Sequence, residues 1–285
     1  MAARIRERLG VPVELVVVKT TGDRIQSVSL AKLGGKGLFV KELEEALLAG
    51  RADLAVHSAK DLPAALAPGC ELAAFPERAD PRDALVAREP GATLADLGRG
   101  ARVGTGSLRR AAQLRAARPD LVVVPLRGNV PTRLRKLEED ALDAVILASA
   151  GLERLGLAER ISERIEPALM LPAVCQGILA VETREGDPLA AALAVLDDAD
   201  ARSAASAERA FLVGLGGDCN TPLAALARIE AGSLALDALL CSPDGRLVLR
   251  ARREAPRAEA AAAGADAARE VLAAGGAALL AEVRG

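Results

Sequence analysis

An α/β chain of two or three domains is predicted by three observations. Short β-branched runs alternate with helically spaced segments over most of the length, the pattern of βα units. Two of those runs pass through Gly/Thr/Ser/Asn turns straight into helical spacing, and Arg109, Arg110, Arg127 and Arg133 cluster just past them. At 285 residues the chain is also longer than one ordinary core accommodates.

Taken in order, residues 1–9 have helical spacing, and residues 15–18 (Leu-Val-Val-Val) read as a strand. Residues 20–37 are polar and glycine-rich. Residues 39–49 return to helical spacing and stop at Gly50, a suitable C-cap. Strands are expected at 54–56 and 71–75. The Pro76-Glu-Arg-Ala-Asp-Pro-Arg-Asp83 segment that follows reads as a crossing into a second unit. That unit opens at 83–87, with further strands near 102–105, 121–126 and 144–148 and helices near 108–117 and 130–139. Leu171-Pro-Ala-Val-Cys-Gln-Gly177 reads as a second crossing, with a short strand at 178–182 after it. Two crossings between the same units predict a discontinuous first domain, as in two-lobed binding proteins. The expected boundaries are 1–77 with 178–197 for the first lobe, 82–171 for the second and 200–285 for a C-terminal domain. In that last region a helix (201–213), a glycine-rich loop, three strand-like runs (224–230, 234–241, 247–252) and an Ala-rich helix predict an α+β unit with an antiparallel sheet. Ser242-Pro-Asp-Gly245 supplies a hairpin turn between the last two runs.

Composition narrows the function. Hydrophobic residues at 51% supply ample core, and 27% charged residues suit a soluble surface. A formal charge of -2 and 1% aromatic content, with neither Trp nor Tyr, argue against nucleic-acid binding, which draws on basic surfaces and stacking rings. No apolar run reaches the ~20 residues of a membrane span. Cys70, Cys175, Cys219 and Cys241 lack Cys-x-x-Cys spacing, so a reducing, cytoplasmic setting is expected rather than a disulfide or zinc framework. His57 is the one histidine, which excludes multi-histidine metal sites, and no metal is expected.

The clustered arginines flank glycines at strand-to-helix turns, beside Thr105 and Ser107, where ligands bind open α/β sheets. Guanidinium forks there suit carboxylate or phosphate, and helix N-termini at Leu108 and Val130 add N–H donors. A ligand with several anionic groups is expected, whereas Arg115, Arg118, Arg135 and Lys136 read as solvated helix faces. Ser58-Ala-Lys60-Asp61 follows a strand. It is either a surface Lys–Asp pair or a charged edge facing the second lobe across a cleft. Gly34-Gly-Lys-Gly37 fails the phosphate-loop pattern, because Gly37 follows the lysine, and a glycine-rich lid is the better reading. Cys219 sits on a Gly/Asp/Asn/Pro loop and is either a small core residue, as Cys70, Cys175 and Cys241 are read to be, or a covalent nucleophile. His57, on an apolar strand, is expected to be a hydrogen-bonded structural residue.

Six segments now stand in register: Gly34-Gly-Lys-Gly-Leu-Phe-Val-Lys-Glu-Leu-Glu44, Ala55-Val-His-Ser-Ala-Lys-Asp-Leu-Pro63, Val103-Gly-Thr-Gly-Ser-Leu-Arg-Arg110, Leu126-Arg-Gly-Asn-Val-Pro-Thr-Arg-Leu134, Leu171-Pro-Ala-Val-Cys-Gln-Gly177 and Gly216-Gly-Asp-Cys219. In this order and over nearly the whole length, the chain resembles the porphobilinogen deaminase (hydroxymethylbilane synthase) family. The resemblance implies two periplasmic-binding-protein-like (type II) lobes and a small C-terminal α+β domain with a three-stranded antiparallel sheet. It implies a dipyrromethane cofactor joined by a thioether to Cys219, porphobilinogen as substrate, and a monomer. The implied reaction joins four porphobilinogen molecules head to tail with loss of ammonia and releases linear hydroxymethylbilane for tetrapyrrole biosynthesis. Carried over residue by residue, Asp61 is the catalytic carboxylate, stabilising charge as ammonia leaves and an azafulvene forms. Ser58, Lys60, Asp61, Thr105, Ser107, Arg109, Arg110, Arg127, Gly128 and Gln176 contact the cofactor. Arg127, Arg133 and Arg154 contact substrate carboxylates.

The sequence also departs from that family. The usual first strand, with Arg-x-Ser-x-Leu-Ala, is missing, and residues 1–9 match the helix after it. This implies a late start or a natural truncation, with a first lobe less stable than the second and little or no turnover. The alternative reading is an N-terminally truncated, non-catalytic, two-lobed anion-binding protein, against which Cys219 and Asp61 discriminate. Smaller departures are Gly106, Pro131 and Cys175 inside matching motifs.

Overall fold

The computed structural model describes residues 1–18, 40–217 and 221–284. Its elements in chain order begin with helices α1 (Ala2–Leu9) and α2 (Lys41–Leu48), then strands β1 (Ala55–Ser58), β2 (Cys70–Ala74), β3 (Asp83–Ala87) and β4 (Arg102–Thr105). Helix α3 (Leu108–Ala117), β5 (Val122–Pro125), α4 (Val130–Glu139), β6 (Ala144–Ala148) and α5 (Ser149–Arg154) follow, and then β7 (Glu163–Ile165), β8 (Leu179–Arg184) and α6 (Pro188–Leu193). The chain finishes with α7 (Ala199–Gly214), β9 (Leu223–Glu230), β10 (Ser233–Cys241), β11 (Val248–Pro256), α8 (Ala260–Val271) and α9 (Ala277–Arg284).

Three sheets organise these elements. The first has the order β1-β8-β2, all antiparallel, so a strand from residue 179 onward lies between two strands from before residue 75. The second has the order β5-β4-β6-β3-β7. Within it β5, β4 and β6 run parallel, and β3 runs against β6 and β7. The third, β11-β10-β9, is the antiparallel C-terminal sheet that the hairpin chemistry predicts. The expected α/β class with a separate three-stranded sheet is therefore found. Mid-sheet strands β3 and β6 carry near-continuous apolar side chains because helices and loops cover both faces.

Local chemistry explains the helix starts. Ser107 caps α3 by accepting from the Arg110 N–H, and Asn129 caps α4 by accepting from the Thr132 N–H, with Pro131 in the first turn where its missing N–H costs nothing. Asp198 caps α7 through the Ala201 N–H. Helix α2 ends against Gly50 at φ 65°, the left-handed position a glycine takes without strain.

The sheet of β9–β11 buries Leu234, Leu236, Ala238 and Leu240 against α7 and α8, around the fully buried Phe211. Alanine and glycine let the two helices approach closely. A Cβ on Gly264 would lie 2.0 Å from the Ala207 carbonyl oxygen, so no larger residue fits there.

One expectation fails. Residues 15–18 form no strand, and Leu15, Val16 and Val17 are 73%, 55% and 87% exposed. An apolar run becomes a strand only beside a partner ladder. Among the described residues β1 pairs with β8 alone, and nothing pairs with 15–18. The glycine-rich 20–37 segment, Phe39 and the Cys219 loop lie outside the described residues.

The two crossings meet at a buried ion pair. Glu208 on α7 is fully buried and accepts from Arg78 Nη1 at 2.6 Å, from the Cys175 N–H at 2.5 Å and from the Ala227 N–H at 2.8 Å. Arg78 also donates through Nε to the Gln176 carbonyl at 2.9 Å. This pair ties the first crossing, the second crossing, α7 and β9 together.

Candidate active site

The parallel strands β4, β5 and β6 end at one edge of the second sheet, and the antiparallel β3 begins there, with Asp83 opposite Ala148. Most of the residues singled out by sequence converge on this edge. Thr105 ends β4, is buried, and accepts from the Ser107 N–H at 3.2 Å. The turn that follows is tight. A Cβ on Gly106 would lie 2.4 Å from the Leu126 carbonyl oxygen, which accounts for glycine at that departure from the motif.

Arg109 and Arg110 enter the first turn of α3 and fold back onto Asp83. Arg109 donates to Asp83 through Nη1 at 2.7 Å and Nη2 at 3.2 Å, and to the Leu171 carbonyl at 2.7 Å. Arg110 donates to Asp83 through Nε at 2.9 Å and to the Ile146 carbonyl at 3.0 Å. Gln176 Nε2 completes the shell of Asp83 at 2.9 Å. Burial alone would raise the Asp83 pKa. The two guanidiniums override it and hold the carboxyl well below the usual carboxylate range. Gln113 clasps residue 171 from the same helix, accepting its N–H at 2.8 Å and donating to its carbonyl at 3.0 Å.

From the first sheet, Ser58 ends β1 and a 3-10 turn over Ala59–Asp61 presents Lys60 and Asp61. Burial pushes the Lys60 ammonium below its ordinary pKa, with Asp61 and Asp83 opposing and Arg110 and Arg109 adding to the fall. Arg133 on α4 is likewise lowered, first by burial and then by Arg110 and Arg127, with Asp61 opposing. Its Nε donates to the Gly128 carbonyl at 2.7 Å. Lys60, Asp61, Arg109, Arg110, Arg127, Arg133 and Asp83 therefore share one electrostatic environment. The Lys60-Asp61 turn is thus within reach of the charges at the edge of the second sheet. Arg154, on α5, lies to one side. It donates to the Gly177 carbonyl at 2.7 Å, and its pKa is lowered by burial and by Arg4 while Glu153 opposes. Cys219 is not among the described residues.

His57 is the structural residue expected, with Nε2 2.7 Å from buried Glu182 Oε2. Cys175 and Cys241 are buried with no disulfide partner, and burial raises their thiols, Cys241 to about 11. Sequence reasoning missed Asp83, Gln113 and Glu208. An acid at a strand start or on a helix carries no local mark of a tertiary partner, and the Arg-Arg pair 26 positions on was the available hint for Asp83.

Chemically, the edge gathers more cations than carboxylates in a largely buried setting. Gln176 Oε1 is also buried with no hydrogen-bond partner. Such a set suits a ligand bearing several carboxylates and at least one N–H donor.

Comparison with known proteins agrees with this chemistry. The family model described as porphobilinogen deaminase, dipyromethane cofactor binding domain, matches residues 1–192, and that of the porphobilinogen deaminase C-terminal domain matches residues 203–273. A porphobilinogen deaminase of Roseiflexus castenholzii is 56% identical over 273 residues, covering 95% of this chain and 89% of that protein. One of Bordetella parapertussis is 56% identical over 272 residues, covering 95% and 86%. Among solved structures, a double mutant of the VFT2 domain of Bordetella pertussis BvgS is 21% identical with a TM-score of 0.38, over 67% of this chain and 73% of that one. The substrate binding protein of an amino acid ABC transporter is 18% identical with a TM-score of 0.33, over 69% and 75%.

Proposed function

Because the chain belongs to the porphobilinogen deaminase family, we propose that its arginine-lined edge carries out hydroxymethylbilane synthesis. The reaction joins four porphobilinogen molecules head to tail, loses ammonia at each addition and ends with hydrolytic release of the linear tetrapyrrole. The observation that carries this reading is the surplus of partly desolvated positive charge around a single carboxylate turn, Lys60-Asp61. Each pyrrole brings an acetate and a propionate, so a growing chain is a polyanion that offsets that surplus.

The donor set fits the family's dipyrromethane. Arg109, Arg110, Arg127 and Lys60 would hold its carboxylates, with Ser58, Thr105, Ser107 and the Gly128 backbone as further polar contacts. The unpartnered Gln176 Oε1 is an acceptor suited to a pyrrole N–H. Bound through a thioether to Cys219, the group supplies the pyrrole chain on which product is built.

Arg133 and Arg154 would position the incoming substrate's carboxylates. Among the described residues of that shared environment Asp61 is the exposed carboxylate, since Asp83 is fully buried and paired. It is therefore the group free to accept pyrrole N–H bonds and to stabilise positive charge as ammonia leaves.

The sheet compositions also support dividing the chain into a first lobe (1–77 with 178–197), a second lobe (82–171) and a C-terminal domain (200–285). We read it as a cytoplasmic monomer. The described cysteines are unpaired thiols, and no helix among the described residues is long and apolar enough to cross a membrane.

The test is turnover. Against the little or no turnover expected from the missing Arg-x-Ser strand, and in keeping with a family match over residues 1–192, purified protein given porphobilinogen should release ammonia in step with its consumption and yield hydroxymethylbilane. Binding of porphobilinogen without ammonia release would refute the reading.

A further inference from the structure

Two adjacent arginines at a helix start repel each other, and burial removes the water that would screen them. In α3 both arginines are only 5% exposed, yet their guanidiniums lie side by side on the two oxygens of Asp83. Asp83 is fully buried and sits where the first crossing enters β3. Gln176, from the second crossing, donates to the same carboxylate and also to the Pro81 carbonyl at 2.7 Å. The Leu171 and Ile146 carbonyls fix the outer ends of the two guanidiniums. One carboxylate balances one of two cations, so the cluster keeps a net positive charge while its side chains are already ordered. Lys60 feels the charges of Asp83, Arg109 and Arg110, which places the cluster beside the Lys60-Asp61 turn rather than in a remote core.

We propose that Asp83 is a positioning residue for the reaction: through Arg109 and Arg110 it presets the carboxylate-binding face, and through Gln176 it fixes that face to the second crossing. A ligand carboxylate then meets donors whose orientation needs no further ordering, which is how preorganisation strengthens binding. The proposal rests on the porphobilinogen reading of the site.

Asp83→Asn tests it, since the amide keeps the shape and removes the charge that holds both arginines. Wild-type turnover is measured first. Its absence would count against the functional reading and not against Asp83 in particular. With wild type active, the melting temperature, cofactor content by intact mass, and the separate KM and kcat for porphobilinogen are compared. The expected result is a folded variant with KM raised about tenfold or more, reduced cofactor loading, and kcat per loaded enzyme changed much less. Asp83→Glu keeps the charge and should recover part of the KM. A variant with a lower melting temperature but wild-type KM and loading would overturn the proposal and leave Asp83 a structural residue. If Asp83→Asn does not accumulate as folded protein, Asp83→Glu decides alone. Raised KM at near-normal melting temperature supports positioning, and unchanged KM overturns it.

Discussion

At the scale of single residues, the site works by giving two carboxylates opposite environments. Asp83 is buried between two guanidiniums and orders them, whereas Asp61 is exposed on its turn and acts on Lys60 and Arg133. Asp61→Asn removes the charge without changing shape. Loss of one positioned electrostatic group typically costs ~10²–10³ in rate. Ammonia release should fall by that order while the mass of the loaded protein stays unchanged, and wild-type turnover in the variant would remove Asp61 from the chemistry. Asp83 also sets an acid limit. Its folded pKa lies below the value of about 4 that a carboxyl has in an unfolded chain, so its contribution is complete above pH 4. That stability is lost as pH falls toward the lower folded value. The melting temperature should therefore drop on acidification below about pH 4, and less steeply in Asp83→Asn. His57 was legible in advance, because a lone histidine on an apolar strand requires a partner, and Glu182 supplies it. Asp83 was not legible, since its partners lie 26 and 27 positions away and only the sheet brings them to it.

At the scale of elements, helices and strands with clear periodicity and caps were readable close to their ends. Helices α3 and α4 and strands β4 and β6 lie where spacing places them, since Ser107 and Asn129 mark the helix starts chemically. The short pieces α5, β7 and α6, of 6, 3 and 6 residues, were missed because so few residues cannot display a period. Residues 15–18 failed for the opposite reason. Their composition favours a strand, but strand formation depends on a neighbour. The hairpin between β9 and β10 offers a direct test of local strain. Ala231 (φ 48°) and Gly232 (φ 81°) both occupy left-handed backbone, which alanine tolerates poorly and asparagine well. Ala231→Asn should stabilise the protein by ~0.5–1 kcal/mol, raising the melting temperature by a few degrees. No change, or a decrease, would show that the turn is not strained there.

At the scale of the whole molecule, the Arg78–Glu208 pair is the joint. Glu208 is fully buried and receives donors from the first crossing, the second crossing and β9. Breaking one side of a buried pair leaves an uncompensated charge, at a cost of ~3–5 kcal/mol. Glu208→Gln should therefore lower the melting temperature strongly. It should do so for the second sheet and the C-terminal sheet together, read as hydrogen exchange in β6 and β10. Independent unfolding of the two would contradict a shared joint. The class and the division into α/β and α+β regions were visible in the sequence, because alternation and turn chemistry are local. The convergence of Lys60, Asp61 and the arginines was expected from motifs, but the way protein oxygens already hold Arg109 and Arg110 is a tertiary fact. If this chain builds tetrapyrrole on a covalently held dipyrromethane, intact mass with peptide mapping of the purified protein will reveal it. Added mass of two linked pyrrole units should map to the peptide containing Cys219 and be absent from Cys219→Ser. An active protein of unmodified mass, or an adduct on Cys70, Cys175 or Cys241, would show that Cys219 does not carry the cofactor.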